Sequence, residues 1–187
     1  MTRIAVFACA ELEISRAGLT GAERDQLDGS RFGEARAREW MAGRVAVHRM
    51  LDRAACGPVS TLGDAGGAPR IVGAELGVSI SHDGAWVAVA IGDGRVAIDL
   101  CAREHESRLL RILDRLGVAT EVHPGLVWAA LECALKLRRR GVWSLLDTDL
   151  AIEPEAHAAR VLGVGAPARV TWALTGDYAM AWAEEPR

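Results

Sequence analysis

The chain has 187 residues, of which 50% are hydrophobic and 25% charged, so it is long enough for one domain or two small lobes around a real core. A formal net charge of −3 gives no general case for nucleic acid or a membrane surface as partner. No apolar run reaches transmembrane length and no secretion leader is legible; Cys9, Cys56, Cys101 and Cys133 have no zinc-like spacing, so the expectation is a reduced cytoplasmic protein.

Residues 3–9 read as a short strand. Thr20 followed three residues later by Glu23 is a helix-start signature; a helix to about Asp28 follows, and Gly29 suits its end. Residues 34–55 predict a longer amphipathic helix with Trp40, Val47 and Leu51 on one face. Arg36, Arg38, Arg44 and Arg49 make its other face basic, and such a face is either simply solvated or anion-binding. Residues 56–77 hold Gly57-Pro58, Gly66-Gly67 and Pro69 and read as a surface connection.

Residues 78–101 predict three strands. Val78 and Ile80 alternate with Ser79 and Ser81, His82-Asp83-Gly84 breaks the run, and 86–91 is almost wholly apolar. Gly92-Asp93-Gly94 is a hairpin signal. The third strand carries Asp99 inside an apolar segment, where a carboxylate is costly unless paired, hydrogen-bonded or metal-bound; the plainer reading is an edge residue facing water. Residues 103–117 read as a helix stopped by Gly117. A further helix carries Trp128, Glu132 and Lys136 at successive turns of one face, which fits either a surface ion pair or a site for a cation and a phosphate. Arg138, Arg139 and Arg140 suit that helix's C-terminus, and could equally meet an acidic partner. Segments 148–152, 168–174 and 178–183 predict a small antiparallel set, with Thr175-Gly176-Asp177 as the last turn.

Ser79-Ile-Ser81-His82-Asp83-Gly84, Val96-Ala-Ile-Asp99-Leu and Trp128-x3-Glu132-x3-Lys136, in this order, resemble the motifs of the 4′-phosphopantetheinyl transferases of the surfactin-synthetase-activating type. The resemblance implies an α+β fold of two similar small lobes, each an antiparallel sheet packed with a long helix and related by a pseudo-twofold. It places the lobes at 1–93 and 94–187 with the active site between them, and having both lobes in one chain allows a monomer. It implies transfer of phosphopantetheine from coenzyme A to a serine of an apo acyl- or peptidyl-carrier protein in polyketide or nonribosomal peptide synthesis, with Mg²⁺, or Mn²⁺ as the alternative ion. Asp99, Glu132 and Lys136 would be catalytic; Asp99, Glu132 and Cys101 stand at the metal positions. Arg44, Arg70, Ser81, His82 and Lys136 would hold the coenzyme.

The chain departs from that pattern in four places. Ala68 stands where a loop lysine is usual, with Arg70 two residues on, and Leu131 replaces the lysine before the motif glutamate. Cys101 stands where a second carboxylate is usual, and a thiol is a poor Mg²⁺ ligand. The FFxxxE element is missing, with Glu121 the nearest acid. The alternative is therefore a relative that binds coenzyme A or a carrier protein without transferring.

Overall fold

The computed structural model describes residues 2–53, 59–64, 67–118, 121–147 and 150–185; Cys56, Gly57-Pro58, Gly66 and the start of the 148–152 segment lie outside the described residues. The strands are β1 (Arg3–Ala8), β2 (Ser60–Gly63), β3 (Pro69–Val72), β4 (Gly77–Asp83), β5 (Trp86–Gly92), β6 (Arg95–Ala102), β7 (Ala151–Pro154), β8 (Ala158–Leu162), β9 (Ala168–Leu174) and β10 (Tyr178–Glu185). The helices are α1 (Gly21–Asp28), α2 (Glu34–Arg53), α3 (Glu106–Arg115) and α4 (Pro124–Leu137). The architecture is α+β with antiparallel sheets, ordered β1-β5-β4, β6-β10-β9-β8-β7 and β2-β3. It is consistent with the two-lobed fold that the resemblance implies.

Local chemistry accounts for most element boundaries. Thr20 caps α1 through its side chain while Glu23 reaches back to the Thr20 N–H, a complete capping box, and Gly29 ends the helix. Gly84, at φ +56°, makes the turn from β4 to β5 in the left-handed region that favours glycine. Pro124 opens α4, where its missing N–H has no helical role to lose.

The first sheet packs α2 on one face through Val47, Met50 and Leu51 against Val78, Val87 and Val89. The second packs α4 through Val127, Leu131 and Leu135 against strands that include Val161, Val170 and Trp172. On the faces away from these helices, Ala88 and Ala90 of β5 meet Ile98 and Leu100 of β6 in a third cluster shared by both sheets. That is why β5 reads as continuously apolar: both of its faces are buried.

Three expectations change. Gly92-Asp93-Gly94 does not close a hairpin; β5 pairs with β1 and β4, whereas β6 pairs with β10, so the chain crosses between sheets there. Residues 56–77 hold the β2–β3 pair, with Thr61 and Ile71 buried, rather than surface connection alone. Strand β8 lies where no element was expected, its short alternation of Ala and Val having too little pattern to read.

The two larger sheets meet along a seam made by side chains. Ser79, Ser81 and Asp83 alternate along β4, and they accept the Ile98, Leu100 and Ala102 N–H groups of β6 at 3.1, 3.2 and 2.8 Å. Ser79 and Ser81 were expected on a polar strand face; they are buried because the neighbouring strand needs acceptors. Ser79→Ala would strand the Ile98 N–H, and it should cost about 1–3 kcal/mol. Urea unfolding reads this directly: an unchanged midpoint would show that the N–H finds another acceptor.

Candidate active site

A cleft of about 860 Å³ opens above this seam. Its floor is β4 and β6, α2 forms one wall through Arg36, Trp40 and Arg44, and α3 and α4 form the other. It brings together Arg44, Ser81, His82, Asp99, Cys101, Glu132 and Lys136 as lining residues. Arg70 does not join them: it is exposed on β3, and Pro69 is the residue of that strand that lines the cleft.

Asp99 is buried at 5% exposure on the β6 face turned toward α4. One of its oxygens accepts from Ser81 Oγ at 2.8 Å and from Lys136 Nζ at 2.7 Å. Lys136 is the only lysine in the sequence. Its ammonium also donates to Ile98 O at 3.1 Å and lies 3.5 Å from Ile80 O, so one cation ties α4 to both strands of the seam. Three N–H donors thus face three protein oxygens, and a phosphate would take Lys136 only by displacing one of them. Ser81 is similarly committed, accepting from Leu100 N–H and donating to Asp99.

Glu132 sits one turn before Lys136 and makes no hydrogen bond among the described residues. Burial, and then the Asp99 charge, push its carboxyl above the ordinary range, while Lys136 opposes them. Trp128 lines the cleft a turn earlier. Cys101, on the same side of β6 as Asp99, is 4% exposed, and its thiol donates weakly to Ala102 O at 3.6 Å. Burial, with the charges of Asp83 and Asp99, pushes this thiol up to about 12, so it is protonated at neutral pH.

Among the described residues, no group of three or more His, Cys, Asp and Glu side chains is arranged to hold a metal ion. Asp99, Glu132 and Cys101, the expected set, line the same cleft, and the thiol is the member whose chemistry does not fit a hard cation. Asp99 and Glu132 do fit as far as they go. Mg²⁺ is commonly held by one or two carboxylates, with water and substrate phosphates supplying the rest.

The opposite wall is cationic. Arg44 is buried at 6% exposure, with its guanidinium 4.0 Å from the Trp40 ring centre and its Nε–H on Thr61 O at 3.2 Å. Burial lowers it to about 10, which leaves it charged at neutral pH. It is therefore not simply solvated, unlike the exposed Arg38 and Arg49 of the same helix. His82 is held below the ordinary imidazole range by burial first and by Arg36 and Lys136 as well, so it is neutral and can share a hydrogen bond with an anion.

Residues 22–92 match the family model described as the 4′-phosphopantetheinyl transferase N-terminal domain. That match supports the phosphopantetheinyl transferase superfamily. It covers α1, α2 and strands β2 to β5, which carry Arg44, Ser81 and His82. No curated protein matches the chain. Asp83, His105 and Arg108 also line the cleft, though nothing in the sequence assigned them a place there. Asp83 joins His105 Nε2 at 3.0 Å at the cleft edge, and Arg108 lines the α3 wall. Asp83 could have been found from its even spacing with Ser79 and Ser81; no signal placed Arg108.

Proposed function

We propose that the protein transfers the 4′-phosphopantetheine arm of coenzyme A to a serine hydroxyl of an apo acyl- or peptidyl-carrier protein, as a divergent member of the surfactin-synthetase-activating type. The observation that carries this reading is the convergence of Asp99, Glu132 and Lys136 from β6 and α4 onto one cleft whose facing wall holds Arg44. Transfer of this kind needs positioning and charge neutralisation more than covalent help from the protein.

In the reaction, the carrier serine oxygen bonds to the phosphorus bearing the pantetheine arm. The bond from that phosphorus to the bridging oxygen breaks, adenosine 3′,5′-bisphosphate leaves, and the serine proton passes to a base. Asp99 and Glu132 would hold Mg²⁺, whose charge would ease departure of the leaving group. Arg44 and the neutral His82 would hold the coenzyme phosphates, and Lys136 fixes the orientation of Asp99. Arg70 lies off the cleft, and we assign it no contact.

A second reading is favoured by one arrangement: the protonated thiol of Cys101 beside an Asp99 already paired with Lys136. On that reading the chain binds coenzyme A or a carrier without transferring. Intact-protein mass spectrometry separates the two. Incubation with coenzyme A, Mg²⁺ or Mn²⁺ and a panel of apo carriers should add one phosphopantetheine arm to a carrier, and EDTA should abolish the gain. Folded protein that modifies no carrier while still binding coenzyme A would establish the second reading.

A further inference from the structure

A wholly buried carboxylate lies behind the coenzyme wall of the cleft, and the proposed reaction makes no use of it. Glu23 of α1 is 0% exposed. It accepts from Thr61 N–H at 2.6 Å, from Thr20 N–H at 2.9 Å and from His48 Nε2 at 3.0 Å. The Thr61 and Thr20 N–H groups can only donate; burial raises the Glu23 carboxyl, but the bonds from His48, Thr61 and Thr20 outweigh that and hold it low, so it is ionised at neutral pH.

The state of His48 follows from its two neighbours. Its Nδ1 lies 3.2 Å from Gly18 O, and its Nε2 faces the Glu23 carboxylate. Neither a carbonyl nor a carboxylate oxygen can donate, so both ring nitrogens carry hydrogen and the ring is an imidazolium. Its hydrogen bond to Glu23 comes first in raising His48 above the ordinary imidazole range, burial opposes it, and Asp52 one turn along α2 adds to the rise. Among the described residues, the charged groups facing the pair are Asp52 and Arg44 of α2, while β2 offers the Thr61 backbone.

Thr61 transmits this arrangement to the cleft. Its N–H is fixed by Glu23, and its carbonyl accepts the Arg44 Nε–H at 3.2 Å. Gln26, one turn after Glu23, holds Gly63 from both sides, with Gly63 N–H on Oε1 at 2.9 Å and Nε2 on Gly63 O at 3.1 Å. The β2 backbone beneath Arg44 is thus set by α1 side chains.

We propose that His48 and Glu23 are positioning residues for the coenzyme: as an ion pair they fix Thr61, and through its carbonyl they hold Arg44 over Trp40, so that coenzyme A affinity falls when His48 loses its proton. This rests on reading the cleft as a coenzyme A site. The sign follows from the raised imidazole. The pair is complete below the ordinary imidazole range and is lost as pH rises through the higher folded-state value. Deprotonation removes one hydrogen bond and leaves Glu23 buried without its cation.

The test is calorimetric titration of the full chain with coenzyme A from mildly acidic to alkaline pH, without carrier protein. Nitrogen chemical shifts of the His48 ring are followed alongside. Wild type should lose about tenfold in affinity as His48 titrates. His48→Gln should be weakened already at acid pH and lack that transition, and Glu23→Gln should lack it too, with His48 titrating lower. If His48→Gln does not fold, Glu23→Gln/His48→Gln, which carries no buried charge, supplies the comparison. A wild-type pH dependence shared by His48→Gln, or a His48 ring already neutral at mildly acidic pH, overturns the proposal alone. No binding of coenzyme A at any pH overturns the coenzyme reading and the proposal with it.

Discussion

Lys136→Met should lower the stability of the protein by about 3 kcal/mol, because it leaves the buried Asp99 carboxylate with no cation. The Asp99 side chain is 7% exposed and Lys136 is 31% exposed, so water can relieve little of the loss. For a chain of this size the thermal midpoint should drop by roughly 8 °C. Adding Asp99→Asn to Lys136→Met should recover about half of that, since the buried charge goes while Ser81 keeps an amide partner. Asp99→Asn alone should cost less than Lys136→Met, because the ammonium keeps Ile98 O. Thermal unfolding of the three variants measures the coupling. Additive single effects would show that the 2.7 Å contact contributes nothing to the folded state.

Asp99→Asn and Glu132→Gln should each reduce phosphopantetheine transfer by about a thousandfold or more while leaving the fold intact. The two substitutions should fail differently. Glu132 makes no hydrogen bond among the described residues, so Glu132→Gln should raise the Mg²⁺ concentration needed for turnover and leave the thermal midpoint unchanged or slightly higher. Asp99→Asn should also disturb Lys136 and the seam, so stability and turnover both fall. Rates across an Mg²⁺ titration, with circular dichroism on the same samples, check this. Wild-type turnover in either variant at limiting Mg²⁺ would remove that residue from the metal site.

Much of this was legible because it is local. The Thr20–Glu23 capping box, the Trp128, Glu132 and Lys136 face of α4 and the three central strands each depend on residues within a few positions of one another. Asp99 could be singled out because a carboxylate in an apolar strand demands a partner, and Lys136 is that partner, 37 residues away. What could not be read depends on pairings across distance. Glu23 signalled only a helix start, yet it also holds Thr61, 38 residues on, through a bond that no spacing announces. Arg44 looked like one arginine among several on a basic face. Its burial is decided by β2, which is four residues long, and by Trp40. Gly92-Asp93-Gly94 misled for a similar reason. A tight turn fixes where the chain reverses, but the acceptors on β4 decide which strand β6 lies beside.

The side-chain seam also bears on pairing with a foreign strand. Two strand edges face each other inside the molecule, and an edge with free N–H and C=O groups is a template for a foreign strand. Here Ser79, Ser81 and Asp83 occupy the donors of β6, and the ammonium of Lys136 lies on Ile98 O and against Ile80 O, one carbonyl from each edge. The residues that shape the cleft floor therefore also close off two strand edges that could otherwise pair with another chain. Removing these side chains would uncover the N–H groups of β6 as well as alter the cleft floor.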